Sequence, residues 1–200
     1  MRLIVGISGA SGSIYGYRLL ERLSQVSEVE THLILTRAAE RTAHLEHAKT
    51  AGDFKKLASH FYPVEDIGSR LASGSFLTHG MVIAPCSIHS MSAIATGMSE
   101  NLLLRAADVC LKERRKLILL VRETPLHLGH LRTMVSLTEM GAIILPPVPG
   151  FYHRPKTILD LVDHTVDRVL DLLGLPSDDT RRWDGGAGRK STAKSKNEKS

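Results

Sequence analysis

Short apolar runs recur along the chain, each followed by a stretch with helical periodicity. This alternation restricts the fold more than any other feature of the sequence. Residues 2–7 (RLIVGI), 29–36 (VETHLILT), 80–85 (GMVIAP), 116–121 (KLILLV) and 142–146 (AIILP) read as strands. They are brief, rich in Val, Ile and Leu, and not alternately polar, as strands covered on both faces should be. Between them, residues 38–46, 89–97, 101–114 and 128–140 read as helices, and 53–60 as a shorter one followed by a loop that ends in LASGSF. The helix after the first strand gathers Ile14, Tyr17, Leu19, Leu20 and Leu23 on one side. The last is the most regular: Ile158, Leu161, Val162, Val166, Val169, Leu172 and Leu173 form one face, and Asp160, Asp163, Asp167 and Asp171 the other. Strands alternating with amphipathic helices predict an α/β protein: a parallel sheet in a three-layer αβα arrangement, as a single domain.

Charge and composition narrow the partners. Of the formal net charge of +5, +3 belongs to residues 184–200, a basic, apolar-poor segment expected to be a disordered tail. The folded body is therefore close to neutral, and nucleic acid is not an expected partner. No apolar run reaches the roughly 18–20 residues of a membrane span, and the N-terminal run reads as a strand rather than a signal peptide. Cys86 and Cys110 have no metal-type spacing. They suggest a reduced, cytoplasmic setting.

The first strand leads into GISGASGSIYG, residues 6–16, spaced Gly6-x-x-Gly9-x-x-Gly12 and followed by Gly16. The dinucleotide fingerprint G-x-G-x-x-G and the P-loop lysine are both absent. Two readings stay open: an anion site at a helix N-terminus with Ser8, Ser11 and Ser13 as hydroxyl donors, or a tight turn with capping serines. Other strand ends resemble this one. Thr36 follows the second strand, Ser87 and Ser90 follow the third, and Arg122 and Glu123 follow the fourth. Each alone is a plausible helix cap. Together they read as one polar ligand site at the carboxyl ends of the strands.

Four segments, GISGASGSIYG, APCSIHSMSAIATG, RAADVCLKERRKLILLVRETP and LPPVPGFYHRP, resemble the UbiX-type flavin prenyltransferase family, historically called aromatic acid decarboxylase subunits. The resemblance covers residues 1–183. It implies a Rossmann-like or flavodoxin-like flavoprotein domain over 1–176 and a C-terminal cover segment over 177–183. It implies binding of FMN, and transfer of a dimethylallyl group from dimethylallyl phosphate to N5 and C6 of reduced FMN. The product, prenylated FMN, would serve a UbiD-type decarboxylase, and the assembly implied is a homododecamer with sites completed by neighbouring chains.

By the same resemblance, Gly9, Ala10 and Ser11 match the FMN-binding turn, Thr36 a hydroxyl at the FMN phosphate, Ser87, Ile88, His89 and Ser90 the second FMN loop, and Arg122 an arginine beside the flavin. Arg105, Lys112, Glu123, Tyr152 and Arg168 match the polar set around the prenyl phosphate; Glu46 matches an acidic residue of that site, and Trp183 an aromatic of the cover. Glu46, Arg105, Lys112 and Glu123 are the expected catalytic set.

The chemistry suits these residue types. A phosphate leaving an allylic carbon is stabilised by cations and hydroxyl donors where water is excluded. Lys112, Arg122 and Arg168 supply charge, Tyr152 a hydroxyl, and Glu123 a proton relay. No acidic cluster of the D-D-x-x-D kind is present, so the ionisation is expected to need no metal ion. Plainer readings stand beside these. Lys112, Arg114 and Arg115 end a helix, where basic residues commonly partner its dipole. Arg168 has Asp163 or Asp167 within pairing reach, His44 and His47 read as surface residues beside Glu46, and Cys86 as a small buried side chain. One position departs from the family: Ile67 stands about where many members place a Trp, and Phe76 is the nearest aromatic. Two other functions compete. An FMN-dependent cysteine-type decarboxylase would need a histidine near the first helix, and there is none before His32. A non-catalytic flavin carrier within a decarboxylase complex is the other.

Overall fold

The computed structural model describes residues 1–175. Its strands are β1 (Arg2–Ile7), β2 (Glu30–Leu35), β3 (His60–Pro63), β4 (Gly80–Cys86), β5 (Lys116–Val121) and β6 (Ile143–Ile144). Its helices are α1 (Ser13–Leu23), α2 (Arg37–His47), α3 (Ala51–Lys55), α4 (Ile88–Ala95), α5 (Leu102–Lys112), α6 (Leu128–Glu139) and α7 (Ile158–Leu173). The strands form one all-parallel sheet in the order β3-β2-β1-β4-β5-β6. Of the two topologies the sequence allows, this is the Rossmann order, with its switch point between β1 and β4.

The strand periodicity of two divides the core. Leu3, Val5 and Ile7 join Leu33, Leu35, Val82 and Ala84 under α1 and α7, whose Leu19, Leu20, Leu23, Val162, Val166 and Val169 cover that face. Ile4, Ile34, Met81, Ile83, Leu117 and Leu119 point the other way, under α4, α5 and α6. The three-layer arrangement therefore follows from residues i and i+2 sharing a face.

Several expectations need correcting. The segment read as a helix at 53–60 is helical only over Ala51–Lys55, and His60–Pro63 adds an edge strand where a loop was expected. The last strand shrinks to two residues, Ile143–Ile144, because the following Leu-Pro-Pro run offers little ladder to extend. On α7 the apolar face is rotated from the reading above. Ile158 is 80 % exposed, and Asp167 is buried against Arg22 at 3.1 Å. Trp183, the cover segment and the basic tail lie outside the described residues.

Gly16 sits on the face of α1 that meets the sheet. A Cβ there would stand 2.3 Å from Ala84 O and 2.7 Å from Ile7 Cδ1. Alanine gains about 1 kcal/mol of helix propensity over glycine, but the carbonyl it would strike is backbone and cannot swing aside. Gly16→Ala is therefore expected to destabilise by roughly 1–3 kcal/mol net, read as a lower urea midpoint with an unchanged slope.

Candidate active site

Every strand of a parallel sheet ends at one edge. Here four neighbouring strands deliver the polar turns side by side, in the order β2, β1, β4, β5. Thr36 N donates to Ile7 O at 3.1 Å, and Arg122 N donates to Cys86 O at 3.1 Å, so the outer two turns are tied to the inner two. Three helices begin here. Thr36 caps α2 by accepting from Ala39 N, Ser87 caps α4 by accepting from Ser90 N, and Gly12 precedes α1. A ring of helix N-termini is a ready site for phosphate.

Ser8 holds the two central turns together. Its Oγ donates to Pro85 O at 2.8 Å and accepts from Ser87 N at 2.8 Å, and its own N–H donates to Pro85 O at 3.2 Å. The side chain is buried, so this serine is not the exposed donor that the sequence reading allowed. Its position was readable, since Ser8 follows β1 directly and continues the i, i+2 alternation of the buried Ile4 and Gly6. Ser8→Ala strands the Ser87 N–H. It is expected to cost about 1–3 kcal/mol and to weaken FMN binding, which a denaturation curve and a flavin titration would check together.

Gly9 lets α2 approach the turn, since a Cβ there would lie 2.4 Å from Ala38 Cβ, and Thr42 Oγ1 donates to Gly9 O at 3.1 Å. Ser11 and His89 are exposed along this edge, and Ala10 and Ile88 are half-buried. Ser87 Oγ donates to Ser90 Oγ at 3.1 Å.

The start of α1 already holds an anion. Glu46, from the last turn of α2, accepts from Gly12 N at 3.0 Å, and from Ser13 N at 3.2 Å and Ser13 Oγ at 3.1 Å. Burial pushes its carboxyl upward, but hydrogen bonds from Ser11, Gly12 and Ser13 outweigh that and hold it below the ordinary value. Glu46 is thus ionised at neutral pH and joined to the glycine turn, with His47 Nε2 2.8 Å from Ser13 Oγ. His47 is half-buried in this network, and not the surface residue expected.

Arg122 and Glu123 are exposed in the turn after β5, where Glu123 Oε1 accepts from Thr124 N at 2.9 Å. Tyr152 lies in the loop between β6 and α7, with its hydroxyl 2.6 Å from His164 Nε2. Arg168 is ten residues into α7, about 15 Å of helix rise from its start. It pairs with Asp171 at 3.1 Å, while Asp163 pairs with Arg18 and Asp167 with Arg22.

Three expected residues, Arg105, Lys112 and Arg168, do not join these turns within one chain; Arg168 lies toward the amino edge, where the end of α7 meets the start of β5 through Lys116 and Leu172 O. α5 starts near the carboxyl edge, where Leu102 N donates to Val64 O at 2.8 Å, and runs back to the amino edge. Lys112 ends it there, paired with Glu113, and the adjacent Arg115 bonds Gly74 O, Phe76 O and Thr78 Oγ1. Arg115 is thus tied to the 70s loop and is no freely solvated helix end. Arg105 is turned to that loop as well, donating to Ala72 O at 3.3 Å and pairing with Asp108. Phe76 packs edge-on to His32 at the amino edge, with the ring centroids 5.3 Å apart. Cys86 is buried and its thiol is pushed up to about 12 by that burial, which makes it inert.

A Rossmann-ordered sheet whose switch point gathers helix N-termini, hydroxyls and an arginine defines a nucleotide-type phosphate binder, and a family model described as Flavoprotein matches residues 1–170. The flavin prenyltransferase UbiX of Thauera aromatica is 54% identical over 185 residues, covering 92% of this chain and 95% of that protein. A dodecameric FMN-dependent UbiX-like decarboxylase from Escherichia coli O157:H7 superposes with a TM-score of 0.91 at 44% identity, covering 92% of this chain and all of that one. AnUbiX in complex with FMN and dimethylallyl pyrophosphate superposes with a TM-score of 0.90 at 42% identity, covering 92% and 97%. The chain belongs to the flavoprotein family and, within it, to the UbiX-type flavin prenyltransferases.

Proposed function

We propose that this protein transfers a dimethylallyl group from dimethylallyl phosphate to N5 and C6 of reduced FMN, supplying prenylated FMN to a UbiD-type decarboxylase. The observation that carries the reading is 54% identity to a flavin prenyltransferase over 92% of the chain. The residues suit FMN, since Thr36 and Ser87 stand at the starts of α2 and α4, beside the turn that carries the exposed Ser11. Ser11, Thr36, Ser87 and Arg122 would hold the phosphate and the ring edge. When bound and reduced, FMN supplies the nucleophilic nitrogen and carbon.

The chain's own groups would then do three things. The Tyr152 hydroxyl and the Arg168 and Lys112 cations neutralise the leaving phosphate. Glu46 holds a fixed negative charge near the developing allylic cation. Glu123 relays the proton released as the new bonds close.

Lys112 and Arg168 lie toward the amino edge of their own chain, and Arg105 is turned to the 70s loop, so on this reading all three reach a site from another copy. That agrees with a homododecamer, the state of the Escherichia coli relative. Among the described residues no helix is long and apolar enough to cross a membrane, and Cys86 and Cys110 are free. The cysteines support the cytoplasmic setting we infer.

Anaerobic incubation with reduced FMN and dimethylallyl phosphate tests the function. Mass spectrometry of the extracted flavin should show one added C5 unit, whereas an unchanged flavin mass would leave a flavin carrier as the better reading.

A further inference from the structure

At the amino edge of the sheet, far from these turns, three side chains of metal-ligand type converge. Glu30 opens β2, His32 follows on the same strand, and the β2–β3 register sets His60 directly beside His32. One ligand atom from each lies within 4.8 Å of the other two. Glu30 Oε1 is 2.8 Å from His60 Nε2 and 3.6 Å from His32 Nε2. The rings stack at 4.9 Å and 19°, so both present Nε2 to the same carboxylate oxygen. His32 has no exposed surface, yet its Nε2 has no hydrogen-bond partner. A buried polar nitrogen left unpaired is uncommon and calls for a cause.

We propose that Glu30 Oε1, His32 Nε2 and His60 Nε2 bind one divalent cation of the zinc class, with water completing the coordination. Two imidazoles and one carboxylate suit Zn²⁺ better than Mg²⁺ or Ca²⁺, which prefer oxygen ligands alone. Bonds of about 2.0–2.1 Å in a tetrahedron separate neighbouring ligand atoms by roughly 3.3 Å, and the spacings of 2.8 and 3.6 Å bracket that value. The outer contacts are those a metal site uses to fix its ligands. Tyr62 OH stands 3.1 Å from His32 Nδ1, and Arg2 Nε donates to Glu30 Oε2 at 3.0 Å. His60 is exposed and gives the ion a way in. Arg2 and Arg70 over the Phe76 ring, at 5.1 and 5.5 Å, add positive charge nearby and moderate the affinity. The ion would pin the four-residue edge strand β3 to β2. Prenyl transfer as proposed uses none of these three residues.

Equilibrium dialysis of the untagged, chelator-treated full chain against Zn²⁺ alone tests this. About one ion per chain should bind, with His60→Ala and Glu30→Gln each weakening it at least tenfold and His44→Ala leaving it unchanged. Zn²⁺ at a hundredfold excess over Kd should raise the Tm of the parent chain by roughly 5 °C and that of His60→Ala by much less. Uptake below stoichiometry, or uptake that neither His60→Ala nor Glu30→Gln weakens tenfold, overturns the proposal. His60 is exposed, so its variant is expected to fold, and circular dichroism of each variant verifies that.

Discussion

Lys112→Ala is expected to lower kcat/KM for prenyl transfer by about 10²–10³-fold, the usual cost of removing one donor aimed at developing negative charge. FMN affinity should be nearly unchanged, because the FMN turns lie at the other edge of the same chain. The stronger test uses two inactive variants. In any one subunit Lys112 closes α5 at the amino edge, paired with Glu113, while Glu123 stands at the carboxyl edge after β5. Under the proposed function, in which both serve prenyl transfer, a working site draws them from different copies. Lys112→Ala and Glu123→Ala homo-oligomers should each be nearly inactive. When they are dissociated, mixed in equal amounts and reassembled, about a quarter of the sites take both intact groups if subunits mix at random. Recovery of about a quarter of the parent activity is the expected result. No recovery, with mixed oligomers shown to form, would place both groups in one chain's site or outside any site.

Glu46→Gln should separate kcat from KM. The carboxylate lies on the first N–H groups of α1 and is held ionised by Ser11, Gly12 and Ser13 against the opposing effect of burial. A carboxyl kept below its ordinary value is a poor proton acceptor but a steady negative charge. Under the proposed function its use is therefore electrostatic, toward an allylic carbon that becomes positive as phosphate departs. Removing that charge should lower kcat by about 10²-fold. The KM for dimethylallyl phosphate should stay level or fall, because a negative charge that repels the substrate phosphate is gone. A variant with full kcat, or one whose loss is confined to a raised KM, would show that Glu46 only braces the turn.

Most of the sheet was legible in the sequence because buried parallel strands and amphipathic helices leave opposite periodicities. The apolar run 116–121 became β5 without adjustment. What failed were segments whose structure is imposed from outside. His60–Pro63 carries little strand signal of its own and is recruited by β2 through backbone pairing. Asp167 looks polar-faced on a helical wheel, yet Arg22 on α1 draws it inward. In the site, the polar residues after each strand could be read, because parallel strands must all end on one edge. Residue spacing does not encode whether a hydroxyl faces a ligand or a neighbouring turn. Ser8 and Ser13 are occupied with Pro85, Ser87 and Glu46, and Ser11, though exposed, also bonds Glu46. Nor does one chain's sequence say that Lys112 and Glu123 stand at opposite ends of the fold.

A crystal structure of the assembled protein with FMN and dimethylallyl phosphate tests most directly that a shared carboxyl-edge site gathers both phosphorylated molecules. Both should lie over the switch point between β1 and β4, with FMN against Ser11, Thr36, Ser87 and Arg122 and the prenyl phosphate facing a lysine from another copy. Either molecule seated elsewhere, such as the cleft of about 350 Å³ beside Arg22, Asp163 and His164, would contradict that claim.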